Sequence, residues 1–183
     1  MLMCPKDQHN LKSASLKGVR IDECPKCGGK WFDRDELRIA KDRTDDDLRW
    51  LDFDLFDDNA NKYKMHRSLK KCPKDLGKMT FLEYMDSKAM IEKCDVCKGV
   101  WLDKDEFEKI IKYLENKVVS TPASEYRKAV LKEAEEIFTG PESKISEIKD
   151  FFAVLKFFEI RLIVEHPWTV DFYTNFYTYW PLK

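Results

Sequence analysis

The chain has 183 residues, a length that suits one ordinary domain or two to three small ones. Its formal net charge is −1, with 37% charged and 43% apolar residues, which argues against a disordered chain and gives no overall attraction to nucleic acid or anionic lipid. The most apolar run, residues 151–164, contains three charged side chains and is too short to span a bilayer, so we expect no membrane insertion.

The six cysteines fall into two sets of three, and each set contains a Cys-x-x-Cys pair. A set of three cannot pair off internally as disulfides, and this spacing favours metal-bound thiolates, which suit a reducing compartment. Cys4 leaves no room for a cleaved signal peptide before it, so we expect a cytoplasmic protein. The sets are Cys4, Cys24 and Cys27, and Cys72, Cys94 and Cys97.

Residues 1–43 predict a small antiparallel sheet. Residues 11–16 and 19–23 form two short strands around a tight turn, because apolar and polar side chains alternate in the second segment. A third strand over residues 30–32 can pair with this hairpin. The hairpin brings the upstream cysteine back to the Cys-x-x-Cys pair, which is the layout of a zinc ribbon.

The first metal site needs a fourth ligand, since structural zinc is tetrahedral. Asp7 stands three residues after Cys4, the offset that a second cysteine would occupy. His9 is chemically the better ligand, but the second copy of the pattern repeats the aspartate, as Asp75, and not the histidine. We therefore predict Asp7 as the fourth ligand, with His9 as the alternative.

Acidic residues after the first Cys-x-x-Cys pair predict the start of a helix. Asp33 and Glu36 have the spacing of a capping box, with Asp33 as the N-cap. An acidic catalytic or second metal site is the alternative, but carboxylates in a first helical turn are favoured by the helix dipole alone. Trp31 is expected to fill the core of this small module.

Residues 44–71 form a connector with an acidic and aromatic first part and a basic second part. Residues 42–58 contain eight aspartates and two arginines, and residues 61–71 contain five lysines and arginines. One interpretation is a solvated linker whose aromatic side chains contact a ribbon. The other is a segment that docks on a basic protein partner.

Residues 72–119 repeat the first module. Cys-x-x-Cys, Gly, Trp, Asp and Asp-Glu recur 70 residues later, with strands expected over residues 79–85 and 88–93. Lys98 replaces Gly28, which predicts slightly more strain where the loop needs a left-handed residue. The second metal site is predicted from Cys72, Asp75, Cys94 and Cys97.

The apolar residues that follow predict helices. Phe107, Ile110, Ile111 and Leu114 have the i, i+3, i+4, i+7 spacing of an amphipathic helix. In the C-terminal region, residues 120–183, helices are expected over residues 125–138 and 143–165. The second of these is apolar on more than one face, which predicts burial on two sides.

The tail from residue 167 carries seven aromatic residues and two charged ones. It can complete a helical core, contact a protein partner or a second copy of the chain, or stack on single-stranded nucleic acid. The last option lacks the interleaved arginines and lysines that such grooves use. Strand and helix both fit this tail.

The pattern Cys-Pro-x-Asp, followed by Cys-x-x-Cys-x-Gly-x-Trp-x-Asp-x-x-Glu, resembles the transcription factor zinc-finger family, the transcription factor IIB-type zinc ribbon. Both copies match, over about residues 1–41 and 72–113. The resemblance implies one zinc-bound ribbon per copy and a loose link to transcription. Members commonly carry four cysteines, and here Asp7 and Asp75 stand at the position of the second.

The sequence therefore predicts an α+β protein with two zinc ribbons, two zinc ions and a C-terminal helical, aromatic-rich region. We expect the zinc to be structural and the protein to bind another protein, or a second copy of itself, through the aromatic region and the acidic connector. Nucleic-acid binding is the alternative function. An enzymatic role is not expected, because no general-base pattern such as His-Glu-x-x-His accompanies the cysteines.

Overall fold

A computed structural model of the chain shows two compact units. The first comprises residues 1–46 and 51–116, and the second comprises residues 47–50 and 117–183. Phe53, Lys62 and Lys64 of the connector, and every aromatic residue of the tail beyond Trp168, lie outside the described residues. The structure describes residues 1–51, 55, 56, 63, 65–170 and 174.

Within the described residues, the first unit is built on one antiparallel sheet of seven strands. The predicted hairpins are confirmed to within one or two residues at each end. The strand order is β1-β2-β3-β7-β6-β5-β4. The strands are β1 (Lys12–Leu16), β2 (Val19–Glu23), β3 (Lys30–Phe32), β4 (Met65–Lys71), β5 (Lys78–Tyr84), β6 (Ala89–Lys93) and β7 (Val100–Leu102).

The two ribbons join through their shortest strands. β3 pairs with β2, as predicted, but it also pairs antiparallel with β7 of the second copy. Trp31 lies opposite its counterpart Trp101, with Lys30 opposite Leu102 and Phe32 opposite Val100. The join therefore has a local twofold symmetry centred on this tryptophan pair, which the sequence analysis did not predict.

β4 lies in the segment predicted as a connector. It pairs antiparallel with β5 and forms one edge of the sheet, with an irregularity between Arg67 and Lys71. Its backbone therefore extends the second ribbon, and within the described sheet it has no counterpart beside β1. The basic part of the connector is thus partly a strand and not only a linker.

Two helices follow the two Cys-x-x-Cys loops, α1 (Glu36–Asp42) and α2 (Glu106–Ser120), and residues 106–116 of α2 belong to the first unit. The amphipathic prediction for α2 is confirmed, because its four apolar positions from Phe107 to Leu114 are buried. Phe107 stacks on Phe32 of β3, with ring centroids 6.1 Å apart. Burial of these side chains contributes hydrophobic stabilisation to the unit.

The capping-box prediction is half right. The Glu36 carboxylate accepts a hydrogen bond from the Asp33 amide at 2.8 Å, as such a box requires. The Asp33 carboxylate, however, accepts from the Trp31 indole N–H at 3.0 Å and caps no helix amide. In the second copy, Glu106 instead accepts from the Met90 amide at 2.7 Å, so the box is not repeated.

The second unit contains a helical hairpin, α3 (Ala123–Thr139) and α4 (Lys144–Glu165), which confirms the two predicted helices. Ser143 caps α4 by accepting a hydrogen bond from the Ser146 amide. Tyr126 of α3 is fully buried and stacks on Phe157 of α4, with ring centroids 6.0 Å apart. This aromatic contact links the two helices of the hairpin.

The prediction that α4 is buried on two sides is wrong for the described residues. The exposed fractions are 71% for Ile145, 61% for Phe152 and 61% for Val164. The buried residues of α4 are Glu147, Asp150 and Val154, which lie on one side of the helix. None of the described helices is long and apolar enough to cross a membrane.

Candidate metal centres

The first centre brings together three thiols and one carboxylate. The ligand atoms of Cys4, Asp7, Cys24 and Cys27 all lie within 4.8 Å of one another. Cys4 Sγ is 3.6 Å from Cys27 Sγ, and Cys24 Sγ is 3.5 Å from Asp7 Oδ1. Zn–S bonds of about 2.3 Å in a tetrahedron place two sulfurs about 3.8 Å apart, so this donor set fits one zinc ion.

The second centre repeats this arrangement with Cys72, Asp75, Cys94 and Cys97, again within 4.8 Å of one another. Cys72 Sγ is 3.6 Å from Cys97 Sγ, and Cys94 Sγ is 3.0 Å from Asp75 Oδ2. Three soft donors and one hard donor suit zinc better than a hard cation such as magnesium. The two centres therefore fit one zinc each, and the prediction of two zinc ions is confirmed.

Each Cys-x-x-Cys loop closes through its own backbone. The Cys24 amide donates to the Gly29 carbonyl at 2.8 Å, and the Cys94 amide donates to the Gly99 carbonyl at 2.9 Å. Gly28 and its counterpart Lys98 both have left-handed backbones, with φ of 71° and 59°. The left-handed residue predicted at Lys98 is thus present, in a geometry that disfavours residues with a Cβ atom.

The upstream turns supply the other half of each centre. The Cys4 amide donates to the His9 carbonyl and the Cys72 amide donates to the Gly77 carbonyl, both at 2.8 Å. The amide two residues after each of these cysteines points at its sulfur, at 3.4 Å in the first turn and 3.3 Å in the second. Such N–H···S contacts stabilise thiolate charge and orient the ligand.

Burial in both centres favours neutral thiols until a cation compensates the charge of the thiolates. Burial raises the pKa of the Cys4 thiol to about 12 and also raises the pKa of Cys72. Burial works against ionisation of Asp7 too, but hydrogen bonds from Cys4 and the His9 amide outweigh it and lower its pKa to about 2. The hydrogen bond from Cys94 lowers the pKa of Asp75. A bound cation removes the penalty on the buried thiolates, and its binding releases their protons.

The positions of Asp7 and His9 relative to the cysteines distinguish the two candidates for the fourth ligand. The His9 ring nitrogen Nδ1 lies 3.1 Å from the Asp7 backbone carbonyl, and this side chain is 49% exposed and outside the donor cluster. The Asp7 side chain is 15% exposed and faces Cys24. Asp7 and Asp75 therefore stay our predicted fourth ligands.

Each tryptophan of the join lies against the Cys-x-x-Cys loop of the other copy. A Cβ atom added at Gly29 would stand 2.2 Å from Cζ2 of Trp101, and one added at Gly99 would stand 2.2 Å from Cζ2 of Trp31. Only glycine permits this approach. The sequence carried the signal, a Gly and a Trp repeated at one spacing, but not the information that the contacts cross between copies.

Two ion pairs cross between the copies beside these rings. Lys74 Nζ lies 2.9 Å from Asp33 Oδ2, and Lys6 Nζ lies 3.3 Å from Asp103 Oδ2. Asp103 also accepts from the Trp101 indole at 3.0 Å, as Asp33 does from its own tryptophan. Each aspartate thus links its tryptophan to the lysine that follows the first cysteine of the opposite centre.

A third group of acids lies in the second unit. The carboxylates of Glu133, Glu147 and Asp150 are buried and lie within 4.8 Å of one another. Arg49 Nε is 2.7 Å from Asp150 Oδ1, so this cluster contains its own compensating charge. Sequence reasoning missed it, because the three acids come from two helices with no shared motif.

Each centre, with its hairpin, its loop and the helix that follows, defines a zinc ribbon, a small metal-stabilised module. The profile of the family described as Transcription factor zinc-finger matches residues 3–43 and 71–113. The profile thus matches both ribbons, and the resemblance inferred from the sequence is confirmed for these two stretches. No curated protein and no solved structure matches the chain.

Proposed function

We propose that the protein is a zinc-stabilised protein-interaction module. The ribbons serve as structural elements, and the C-terminal helical unit contacts a protein partner. The buried thiols support a structural metal, because four protein donors around zinc leave no open position for a substrate. Modules of about 40 residues rarely hold together without such a metal or a disulfide.

One observation carries the proposed interaction, the apolar face that α4 exposes. Ile145, Ile148 and Phe152 follow one another at i, i+3 and i+7, so they lie on the same side of the helix. Exposed Lys156 comes next on this side, and Ile160 and Val164 add exposed apolar side chains nearer the end of the helix. Apolar side chains that are exposed together on one side of a helix are typical of interaction sites.

The test is site-specific photo-crosslinking of the full chain in cell extract. A photoreactive phenylalanine analogue placed at Phe152 should give one discrete adduct, and the same analogue at exposed Ser124 of α3 should give none. The substitution Val164→Asp should abolish the adduct formed from position 152. Identical adducts from both positions, or no adduct from either, would contradict the proposal. An adduct of twice the chain's mass would identify a second copy as the partner.

The family description suggests where to look for that partner. Because the matching family is described as Transcription factor zinc-finger, it supports a partner in the transcription machinery. The free cysteines support a reducing, cytoplasmic setting. Purified chain that carries the crosslinker at position 152 should then label a transcription protein in cell extract. Labelling confined to proteins of other processes would remove the transcription link.

Nucleic-acid binding is the second candidate, and the edge strand β4 favours it. Arg67 and Lys71 are exposed there, beside the exposed His66. The net charge of −1 and the acidic connector oppose it. Binding through such contacts must weaken steeply with salt. A mobility shift of DNA or RNA at low salt, lost in Arg67→Ala, would support this candidate, and no shift would remove it.

A further inference from the structure

The crossed contacts between the copies lie at the metal centres themselves. The ring of Trp31 lies on Gly99, whose carbonyl holds the Cys94 amide and so closes the loop of the second centre. The ring of Trp101 lies on Gly29, whose carbonyl does the same for Cys24. Each ring therefore touches the residue that fixes the shape of the opposite Cys-x-x-Cys loop.

The same crossing reaches the upstream turn of each centre. Trp31 donates to Asp33, and Asp33 binds Lys74, which lies between two predicted ligands of the second centre, Cys72 and Asp75. One tryptophan and its aspartate thus contact both halves of the opposite centre. The second tryptophan does the same for the first centre, through Asp103 and Lys6.

The contacts are tightly packed. Trp31 and Trp101 are both fully buried, and they share one apolar cluster with cysteines of both centres. Interiors of this density do not absorb a displaced side chain, so a loop that loses its shape must shift the ring that lies on it. Trp31 belongs to β3, which follows the first centre in the chain, and Trp101 belongs to β7, which follows the second.

We propose that Trp31 and Trp101 are positioning residues for the zinc site of the opposite ribbon, and that the two sites take up zinc cooperatively. Zinc at one centre orders its loop and the ring packed on that loop. The ordered ring then holds its own ribbon in the arrangement that binds zinc, so the second ion costs less ordering entropy. Linkage makes this effect reciprocal between the sites.

The decisive experiment measures zinc release from each site of the full chain. After a chelator is added to zinc-loaded protein, the amide resonances of Gly29 and Gly99 report the two centres separately. Trp31→Phe should speed release from the second centre about tenfold and change the first less, and Trp101→Phe should do the reverse. Trp50→Phe, in the other unit, is the matched control and should change neither rate.

If each tryptophan only stabilises its own ribbon or the fold as a whole, the release rates should follow a different pattern. In that case each tryptophan substitution speeds release from the centre of its own ribbon, or from both equally, and either result overturns the proposal. Lys6→Ala and Lys74→Ala leave both rings in place, so they keep the test valid if the tryptophan variants do not fold. Lys74→Ala removes the Trp31–Asp33 link to the second centre, and Lys6→Ala removes the corresponding link to the first.

Cooperativity is tested by removing one centre. The variant Cys94→Ser/Cys97→Ser lacks the second centre. The zinc affinity of its first centre, measured by chelator competition, should be about tenfold lower than that of the first centre in wild-type protein whose second centre holds zinc. The mirror variant Cys24→Ser/Cys27→Ser should lower the affinity of the second centre similarly. An affinity unchanged within about twofold in both variants overturns the proposal.

Discussion

Adding one methyl group at Gly99 should destabilise the first unit through Trp31 alone. The new Cβ would stand 2.2 Å from Cζ2 and 2.7 Å from Cη2 of that ring, whereas carbon atoms prefer separations of about 3.5–4.0 Å. The ring must therefore move by more than about 1 Å, and it is fully buried. Overpacking of this kind costs about 1–3 kcal/mol, and we expect Gly99→Ala to lower the free energy of unfolding by that amount.

A double-mutant cycle assigns the cost to this contact. Trp31→Phe removes the clashing ring atoms, so Gly99→Ala in that background should cost at least about 1 kcal/mol less than in the wild type. The assay is urea unfolding at a fixed excess of zinc, followed through the amide resonances of β3 and β7. Ser15→Ala, on the exposed side of β1, should change nothing. Additive effects, or a Gly99→Ala variant as stable as the wild type, would refute the reasoning.

Three further predictions concern the metal and the sheet. A strong chelator should abolish the dispersed amide signals of β1 to β7 while the helical signal of α3 and α4 remains, and dispersion that persists without zinc would contradict a structural role. Asp75→Cys should tighten zinc binding at the second centre about tenfold or more, because thiolate is a softer ligand than carboxylate, whereas Asp86→Cys on the surface should not. Lys70→Met should cost about 3–5 kcal/mol, since it leaves the buried Glu92 carboxylate, 2.6 Å from Lys70, without its cation. Lys70→Met/Glu92→Leu should recover most of that loss, and equal stabilities of the single and double variants would contradict the assignment.

The local elements were predictable from the sequence because short-range patterns determine them. Alternating side chains located β2, a helical stripe located α2, and the repeated Cys-x-x-Cys spacing located both centres. Lys98 could be identified as a left-handed residue because its counterpart is a glycine. The chemistry of the ligands, three thiols and an aspartate, needs no tertiary information beyond the hairpin that brings them together.

The join between the ribbons could not be predicted, because it depends on pairing between strands far apart in the chain. β3 and β7 have three residues each, too few for periodicity to show that a second edge is occupied. Asp33 and Asp103 fit a helix cap equally well by spacing, and only the tertiary contact shows that they bind lysines across the join. The exposed face of α4 could not be predicted either, because an apolar helix sequence does not show which of its sides is covered by other elements.

The central claim is that each ribbon holds one zinc ion. Native mass spectrometry of the zinc-loaded chain tests it most directly. The account predicts two zinc ions per wild-type chain and one per chain in Cys24→Ser/Cys27→Ser. A wild-type chain that retains no zinc or a single zinc ion, or a variant that still retains two, would contradict it.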